Sequence, residues 1–231
     1  MNKYIGLLLL VMMTACVSSR GFDRGSLRSQ IADQKVVTEE DIKKVLELKP
    51  QLPAPFKLAV YFASPKSDWH YGSSWNWTGD DKDALIQMKS ELVKKNIISD
   101  LFVLPNSILE GTDNKAVRLA AARAGADAVL IVNGVSSIDR YNNVLGGTYF
   151  LIVTPFFVPG TVADCLVMIN AAMWDVRNQY LYLSAEAEGT SSQTRPAFFI
   201  EEGHVINSAR SNAIAELRKE LSSRLDAMGS K

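Results

Sequence analysis

The feature that most constrains the fold is an order of elements that changes halfway along the chain. In the first half, short β-branched and aromatic runs at 58–63, 100–105 and 126–135 alternate with amphipathic helical patterns. Strands separated by helices of this length predict parallel pairing with right-handed crossovers. In the second half, the runs at 148–154, 162–174 and 180–188 have no helical pattern between them, which predicts antiparallel pairing.

A final helix is predicted from about 203 to 227, because its apolar residues recur three and four positions apart. The fold class is therefore α/β with an α+β tendency. We expect a mixed sheet whose βαβαβ half is followed by an antiparallel β meander and a C-terminal helix. This length of chain is enough for one hydrophobic core, predicted as a single mixed domain over residues 38–228.

The amino-terminal residues have the pattern of a secretory signal. Lys3 precedes an uncharged apolar run at 5–13, which is too short for a spanning helix of ~20 residues. The stretch MTAC (13–16) resembles the lipobox of bacterial lipoproteins, in which the cysteine is lipidated and the chain is cut before it. The resemblance implies a signal peptide at 1–15 and a lipid on Cys16, which would tie the protein to a membrane. An ordinary signal peptide followed by a chance cysteine is the alternative.

Residues 16–37 are mostly polar and are predicted to be a flexible tether that carries the lipid. Val17, and not Asp, follows the lipobox cysteine. By resemblance to the enteric sorting rule, this implies the outer membrane, with the protein facing the periplasm. Cys165 then has no cysteine partner, and its apolar neighbours predict that it is buried.

The composition offers little for catalysis. The 25 basic and 25 acidic residues balance, which predicts no nucleic-acid partner. There is no HExxH, CxxC, GxSxG or glycine-rich phosphate loop, so no catalytic residue, metal ligand or cofactor is predicted. Asp80 and Asp81 stand at a helix start, where acids are favoured by the exposed N–H groups. The alternative makes Asp80, Asp81 or His70 the acid or base of a hydrolase of envelope polymers.

The segment WHYGSSWNWTGDD (69–81) holds three of the four tryptophans. It follows the first strand at the C-terminal edge of the parallel half, where ligands of α/β folds bind. The aromatic rings could stack on sugars or on a partner, or they could pack on their own domain. The candidate binding residues here are Trp69, His70, Tyr71, Trp75 and Trp77.

Residues 141–163, YNNVLGGTYFLIVTPFFVPGTVA, contain no charge. Two buried strands joined by a proline-rich corner are favoured, and contact with a membrane or a partner is the alternative. Prolines and glycines exclude a single spanning helix. Arg140, Asn142 and Asn143 border this stretch and are further candidates for partner binding, although Asn-Asn is equally turn chemistry.

Two family resemblances follow from short motifs. Gly125-Ala126-Asp127 and Asp175 resemble the central strand and late hairpin of curli-secretion and penicillin-binding-protein-activator lipoproteins, whose fold is related to anticodon-binding domains; Gln179 stands where a turn glycine is usual. The chain resembles the rhombotarget lipoproteins more closely, in the segments 61–63, 118–123, 139–143, 157–164, 174–178 and 193–196. That resemblance implies a lipid-anchored envelope protein and transfers no activity.

The sequence therefore predicts a non-enzymatic, lipid-anchored cell-envelope protein that binds or assembles with another envelope component. The predicted partner is an envelope protein or glycan, and the chain could form homo-oligomers. The alternatives are a peptidoglycan or glycan hydrolase and a subunit of an oligomeric secretion-type pore.

Overall fold

The structure, a computed structural model, describes residues 18–32, 38–67 and 75–229. The predicted signal peptide, Cys16, Trp69, His70 and Tyr71 lie outside the described residues. The strands within them are β1 (Phe56–Phe62), β2 (Lys66–Ser67), β3 (Ile98–Val103), β4 (Ala128–Asn142), β5 (Thr161–Asp175) and β6 (Leu181–Arg195). They form one sheet in the order β3-β1-β4-β5-β6, with β2 beside β4.

The predicted mixed sheet is confirmed. β1 runs parallel to both β3 and β4, while β4, β5 and β6 are antiparallel neighbours. β1 and β4 are adjacent, with Leu58 opposite Ala128, because the chain crosses over through helices before each return to the sheet. The three long strands continue past the ends of β1 and β3, so the β4–β5–β6 half forms an extension of the sheet.

Six α-helices accompany the sheet in the described part of the chain. Their bounds are α1 (Arg24–Ile31), α2 (Glu39–Leu46), α3 (Gly79–Ile86), α4 (Lys89–Lys94), α5 (Asn114–Arg123) and α6 (Glu202–Gly229). A capping box of Thr38 and Asp41 begins α2, and Thr78 with Asp81 forms a second one at α3. The helical pattern between the first two predicted strands forms two short helices, α3 and α4.

The main core lies between one face of the sheet and the helices α3, α4 and α6. The predicted apolar side chains of α6 all lie in it, namely Ile206, Ala209, Ala213, Leu217 and Leu221. On the opposite face, Val117 and Ala121 of α5 pack on Ala59 and Val129. The sheet is thus enclosed by two helical layers, as predicted for the βαβαβ half.

The prediction of a flexible tether over 16–37 is corrected for residues 18–32. Asp23 caps α1 by accepting a hydrogen bond from the Ser26 amide, and Leu27 is buried against Val135 and Leu166. Arg24 forms an ion pair with Glu188 of β6. The polar composition misled the prediction because one apolar residue and a few charges are enough to hold a short helix on a sheet that already exists.

The prediction of a strand at 148–154 is wrong. β4 and β5 pair directly as far as Asn142 and Thr161, so the residues between them form the connection of the hairpin. That connection contains 3-10 helices at Val144–Phe150 and Thr154–Phe156. Gly146 and Gly160 approach so closely that a Cβ at Gly146 would lie 2.8 Å from the Gly160 carbonyl oxygen. The β-branched composition therefore marks an apolar turn and not a strand.

Candidate functional site

The end of the β4–β5 hairpin forms an exposed apolar surface, which we call the apolar tip and define as residues 144–158 and 197–199. Val144, Ile152 and Phe157 have 88%, 87% and 80% of their surface exposed. The favoured expectation, burial of the uncharged stretch at 141–163, is therefore wrong for the tip, although Val162 and Ala163 are buried in β5. The exposed large apolar side chains of the tip are Val144, Leu145, Phe150, Leu151, Ile152, Val153, Phe156, Phe157, Phe198 and Phe199.

The Phe198 and Phe199 contribution to the tip was missed by the sequence analysis. These residues follow the end of β6 and form a further 3-10 turn, Ala197–Phe199. The Phe198 ring stacks on Phe156 with 4.3 Å between ring centroids. The signal that could have found them is the apolar run AFFI directly after the polar end of β6.

Arg140 and Asn143, the predicted candidates for partner binding, are hydrogen-bonded to residues at the tip, and partner binding by them stays a prediction. Asn143 accepts a hydrogen bond from the Leu145 amide at 2.9 Å, and its side-chain amide donates to the Pro159 carbonyl at 3.1 Å. The Arg140 guanidinium donates to the Ala197 carbonyl at 3.0 Å. These two residues therefore join the two segments of the tip to the strands beneath.

Asn142 has a similar structural role. Its side-chain oxygen accepts a hydrogen bond from the Thr161 hydroxyl at 3.0 Å, across the last pair of the β4–β5 ladder. Tyr141 donates its phenolic proton to Asp164 at 3.0 Å, and this hydrogen bond raises the pKa of Tyr141. Both contacts close the ladder directly below the tip.

The chain before α1 is bound close to the apolar tip, at Asp139 of β4. The Asp139 carboxylate is 4% exposed and accepts hydrogen bonds from the Arg20 and Gly21 amides at 2.9 and 3.0 Å, and from the Ser19 hydroxyl. No sequence pattern predicts this contact, because Asp139 and Ser19 are 120 residues apart in the chain. It places residues 19–21 beside Asp139, three positions from the end of β4.

The two described tryptophans of the candidate aromatic site differ in their surroundings. Trp75 is 7% exposed, and its ring lies against Gly134, where a Cβ would be 2.9 Å from the indole. The Arg210 guanidinium lies 5.4 Å from its ring centroid. Trp77 is half-buried and donates its indole N–H to the Ala63 carbonyl at 2.6 Å. Trp75 therefore packs in the core, which was one of the two expectations.

Trp77 lines a cleft of about 590 Å³ with Phe62, Lys82, Pro105 and Asn106. This cleft lies at the C-terminal ends of the parallel strands β1 and β3, the edge where the sequence predicted a ligand site. Trp77 and Phe62 pack with their centroids 5.2 Å apart. Of the two described candidates in this segment, the cleft brings Trp77 to that edge, and binding there stays a prediction.

Asp81 is held in a buried ion pair. Its carboxylate lies 2.9 Å from the Arg210 Nε, and it also accepts a hydrogen bond from the Thr78 amide at 2.7 Å. Asp80 is exposed in the same helical turn. Asp81 is 4% exposed and neutralises a buried guanidinium, which is the arrangement of a structural ion pair.

The remaining reactive group is Cys165, which is fully buried in β5, as predicted. Burial raises the pKa of its thiol to about 12, so the thiolate is not formed at neutral pH. Within the described ranges, no cluster of three or more His, Cys, Asp or Glu side chains could hold a metal ion. None of the helices in those ranges has the length and apolar character needed to cross a bilayer.

No protein-family model and no curated protein matches the sequence. Solved structures that are similar include a PelC variant dodecamer from Paraburkholderia phytofirmans, with 15% identity and a TM-score of 0.34, covering 78% of this chain and 95% of that one. A putative neuraminyllactose-binding hemagglutinin homolog from Helicobacter pylori has 10% identity and a TM-score of 0.40, with coverages of 80% and 96%. A minor lipoprotein from Acinetobacter baumannii has 13% identity and a TM-score of 0.37, with coverages of 76% and 95%. At such low similarity, these structures say nothing about the activity or partners of this chain.

Proposed function

We propose that this protein is a non-enzymatic lipoprotein of the bacterial cell envelope that binds another envelope component through the apolar tip. The observation that carries the proposal is the exposure of the tip, where ten large apolar side chains gather on one end of the sheet. Exposed apolar patches that exceed a few hundred Å² are rare on monomeric soluble proteins and mark sites of interaction. The lipobox-like sequence at Cys16 supports an envelope location, facing the periplasm at the outer membrane.

Membership in the rhombotarget lipoproteins is part of this proposal and rests on the segments quoted above. The alternative of a polymer hydrolase finds less support, because Asp81 is bound to Arg210 and Trp75 packs in the core. The residues left to it are Asp80, which is exposed, and His70, which lies outside the described residues. Hydrolysis of purified peptidoglycan that is lost in Asp80→Asn or His70→Ala would favour the enzyme.

Lipidation is tested by mass spectrometry of the amino-terminal peptide of the protein isolated from its native membranes. We expect a cleaved chain that begins with acylated Cys16, and retention in the membrane pellet after a carbonate wash. Cys16→Ser should abolish both the cleavage and the lipid. Cys165→Ala is the matched control and should leave lipidation unchanged. An unmodified sulfur on Cys16 in the wild-type chain would exclude the lipid anchor.

Binding through the tip is tested by photo-crosslinking in intact cells from a photoreactive residue at Phe157. The matched control is Val45 of α2, an exposed apolar residue that lies outside the tip. We expect crosslinks to an envelope component from residue 157 and none from residue 45. Equal crosslinking from the two positions would refute a specific surface at the tip.

A further inference from the structure

We propose that the apolar tip binds the lipid bilayer itself, in the same leaflet that receives the acyl chains on Cys16. The protein would then have two attachments to one membrane, a covalent one and an apolar one. Together they would fix the body with the β4–β5 hairpin end toward the lipid and the opposite end of the sheet away from it. This inference rests on the proposed function: it takes the envelope component that the tip binds to be the lipid of the membrane, and it requires the lipidation of Cys16.

The first argument is the position of the chain that leads to Cys16. Ser19 is hydrogen-bonded to Asp139 and is only three positions from Cys16 in the chain. Three extended residues span at most about 11 Å. Val144, the first residue of the tip, is five positions after Asp139, which corresponds to about 17 Å of extended chain. The acyl chains therefore leave the protein within about 28 Å of the tip, by these two lengths together.

The opposite end of the sheet is farther from that attachment point. Asp139 lies eleven residues from Ala128, the first residue of β4. Eleven residues of strand correspond to about 36 Å. With the lipid held in the bilayer and residues 19–21 bound at Asp139, the end that meets the membrane is the one that carries the apolar tip.

The second argument is that polar groups of the tip are satisfied within it. Thr148 donates its hydroxyl proton to the Leu145 carbonyl at 2.7 Å, and Tyr149 donates to the Val158 carbonyl at 2.9 Å. The Thr154 hydroxyl donates to the Thr148 carbonyl at 2.6 Å. Unpaired polar groups are costly next to hydrocarbon, and these hydrogen bonds remove that cost for the three hydroxyls. The tip thus presents its apolar side chains outward and its hydroxyls inward.

The third argument is the distribution of charge. No charged residue occurs between Arg140 and Asp164. At the base of the tip, Arg140 pairs with Glu202 and Arg195 pairs with Glu201. Charged groups are excluded from hydrocarbon but are accommodated among headgroups. This arrangement fits a tip inserted to the boundary of headgroups and acyl chains, a depth of about 5–10 Å for interfacial segments.

The experiment measures the immersion of spin labels on the lipidated protein reconstituted into vesicles of phosphatidylethanolamine and phosphatidylglycerol. Single cysteines are introduced by Ile152→Cys and Phe157→Cys in the tip, and by Val45→Cys in α2 as a matched exposed control. The native Cys165 is buried and does not compete for the label. Circular dichroism melting of each variant verifies the fold.

We expect labels at 152 and 157 to lose collisions with a water-soluble nickel chelate and to gain collisions with oxygen when vesicles are present. The label at 45 should keep the accessibility of a residue in water. If labels at 152 and 157 keep colliding with the nickel chelate on vesicle-bound protein, the inference is overturned, and the proposal of a lipid anchor is unaffected. If the labels in the tip are protected from the nickel chelate in detergent and show spin–spin broadening, the tip binds a second copy of the chain. That result would also overturn the inference. If the wild-type protein isolated from its native membranes carries no lipid on Cys16 and does not float with vesicles, the proposed function is refuted instead.

Discussion

Removal of the Asp81 carboxylate is the perturbation that best separates a structural role from a catalytic one. In Asp81→Ala, the Arg210 guanidinium, which is 5% exposed, would lose its ion-pair partner at 2.9 Å. The side-chain half of the α3 capping box, the acceptor for the Thr78 amide, would be lost as well. We therefore expect a large loss of stability without any loss of a chemical activity.

The magnitude follows from burial. Breaking a buried ion pair by removal of one partner costs about 3–5 kcal/mol, because a charge is left in the protein without compensation. In a chain of this size, 1 kcal/mol shifts the melting temperature by roughly 2–4 °C. The expected decrease is therefore about 6–20 °C, taking the lower and upper ends of the two ranges together. The exposed neighbour Asp80 is the matched control, and its removal should cost about 0.3–1 kcal/mol through the helix dipole.

The assay is thermal unfolding followed by circular dichroism, for Asp81→Ala, Arg210→Met and the double variant. Since the double variant leaves no unpaired charge, it should be less destabilised than the sum of the two single variants by about 0.5–3 kcal/mol. A melting temperature of Asp81→Ala equal to that of Asp80→Ala would refute this reasoning. Asp81 would then be available for chemistry, and the hydrolase hypothesis would regain support.

Three further perturbations test the packing. A Cβ at Gly189 would lie 2.1 Å from a backbone oxygen of α6, so Gly189→Ala should lower the free energy of unfolding in urea by about 3 kcal/mol. Gly203 has open space around it, so Gly203→Ala should be neutral or stabilising. Equal effects of the two substitutions would contradict this contact. Asp139→Ala should release residues 18–23, seen as faster trypsin cleavage and hydrogen exchange there; unchanged rates would count against the contact. Cys165 should not react with a thiol reagent at pH 8 in the folded protein. A native thiol that reacts at the rate of the unfolded protein would disprove the burial of Cys165. Burial raises the pKa of the folded Cys165 thiol to about 12. The contribution of this thiol to the free energy of unfolding is therefore present below the ordinary thiol pKa of about 8.5 and is lost as the pH rises toward 12.

Apart from α1 and the apolar turn at 144–158, the sequence by itself determined the order of the main strands and helices and the ends of several helices. These features follow from local chemistry, such as the capping boxes at Thr38 and Thr78, the left-handed Gly125 with φ 73°, and the apolar spacing of α6. Each depends on residues within about one helical turn or one strand of one another. The mixed sheet and its change from parallel to antiparallel pairing were therefore predictable.

Only the tertiary structure decided which surfaces meet. The polar residues Ser136 to Asn142 extend β4 because they face a partner strand, and the Asp139 carboxylate is buried because residues 19–21 cover it. The apolar run at 148–157 is exposed because β4 and β5 pair directly below it and leave no sheet for it to join. An apolar residue has the same local pattern in a core and on an exposed turn. Burial depends on contacts between residues far apart in the chain, and for that reason the candidate site was visible only in the folded protein.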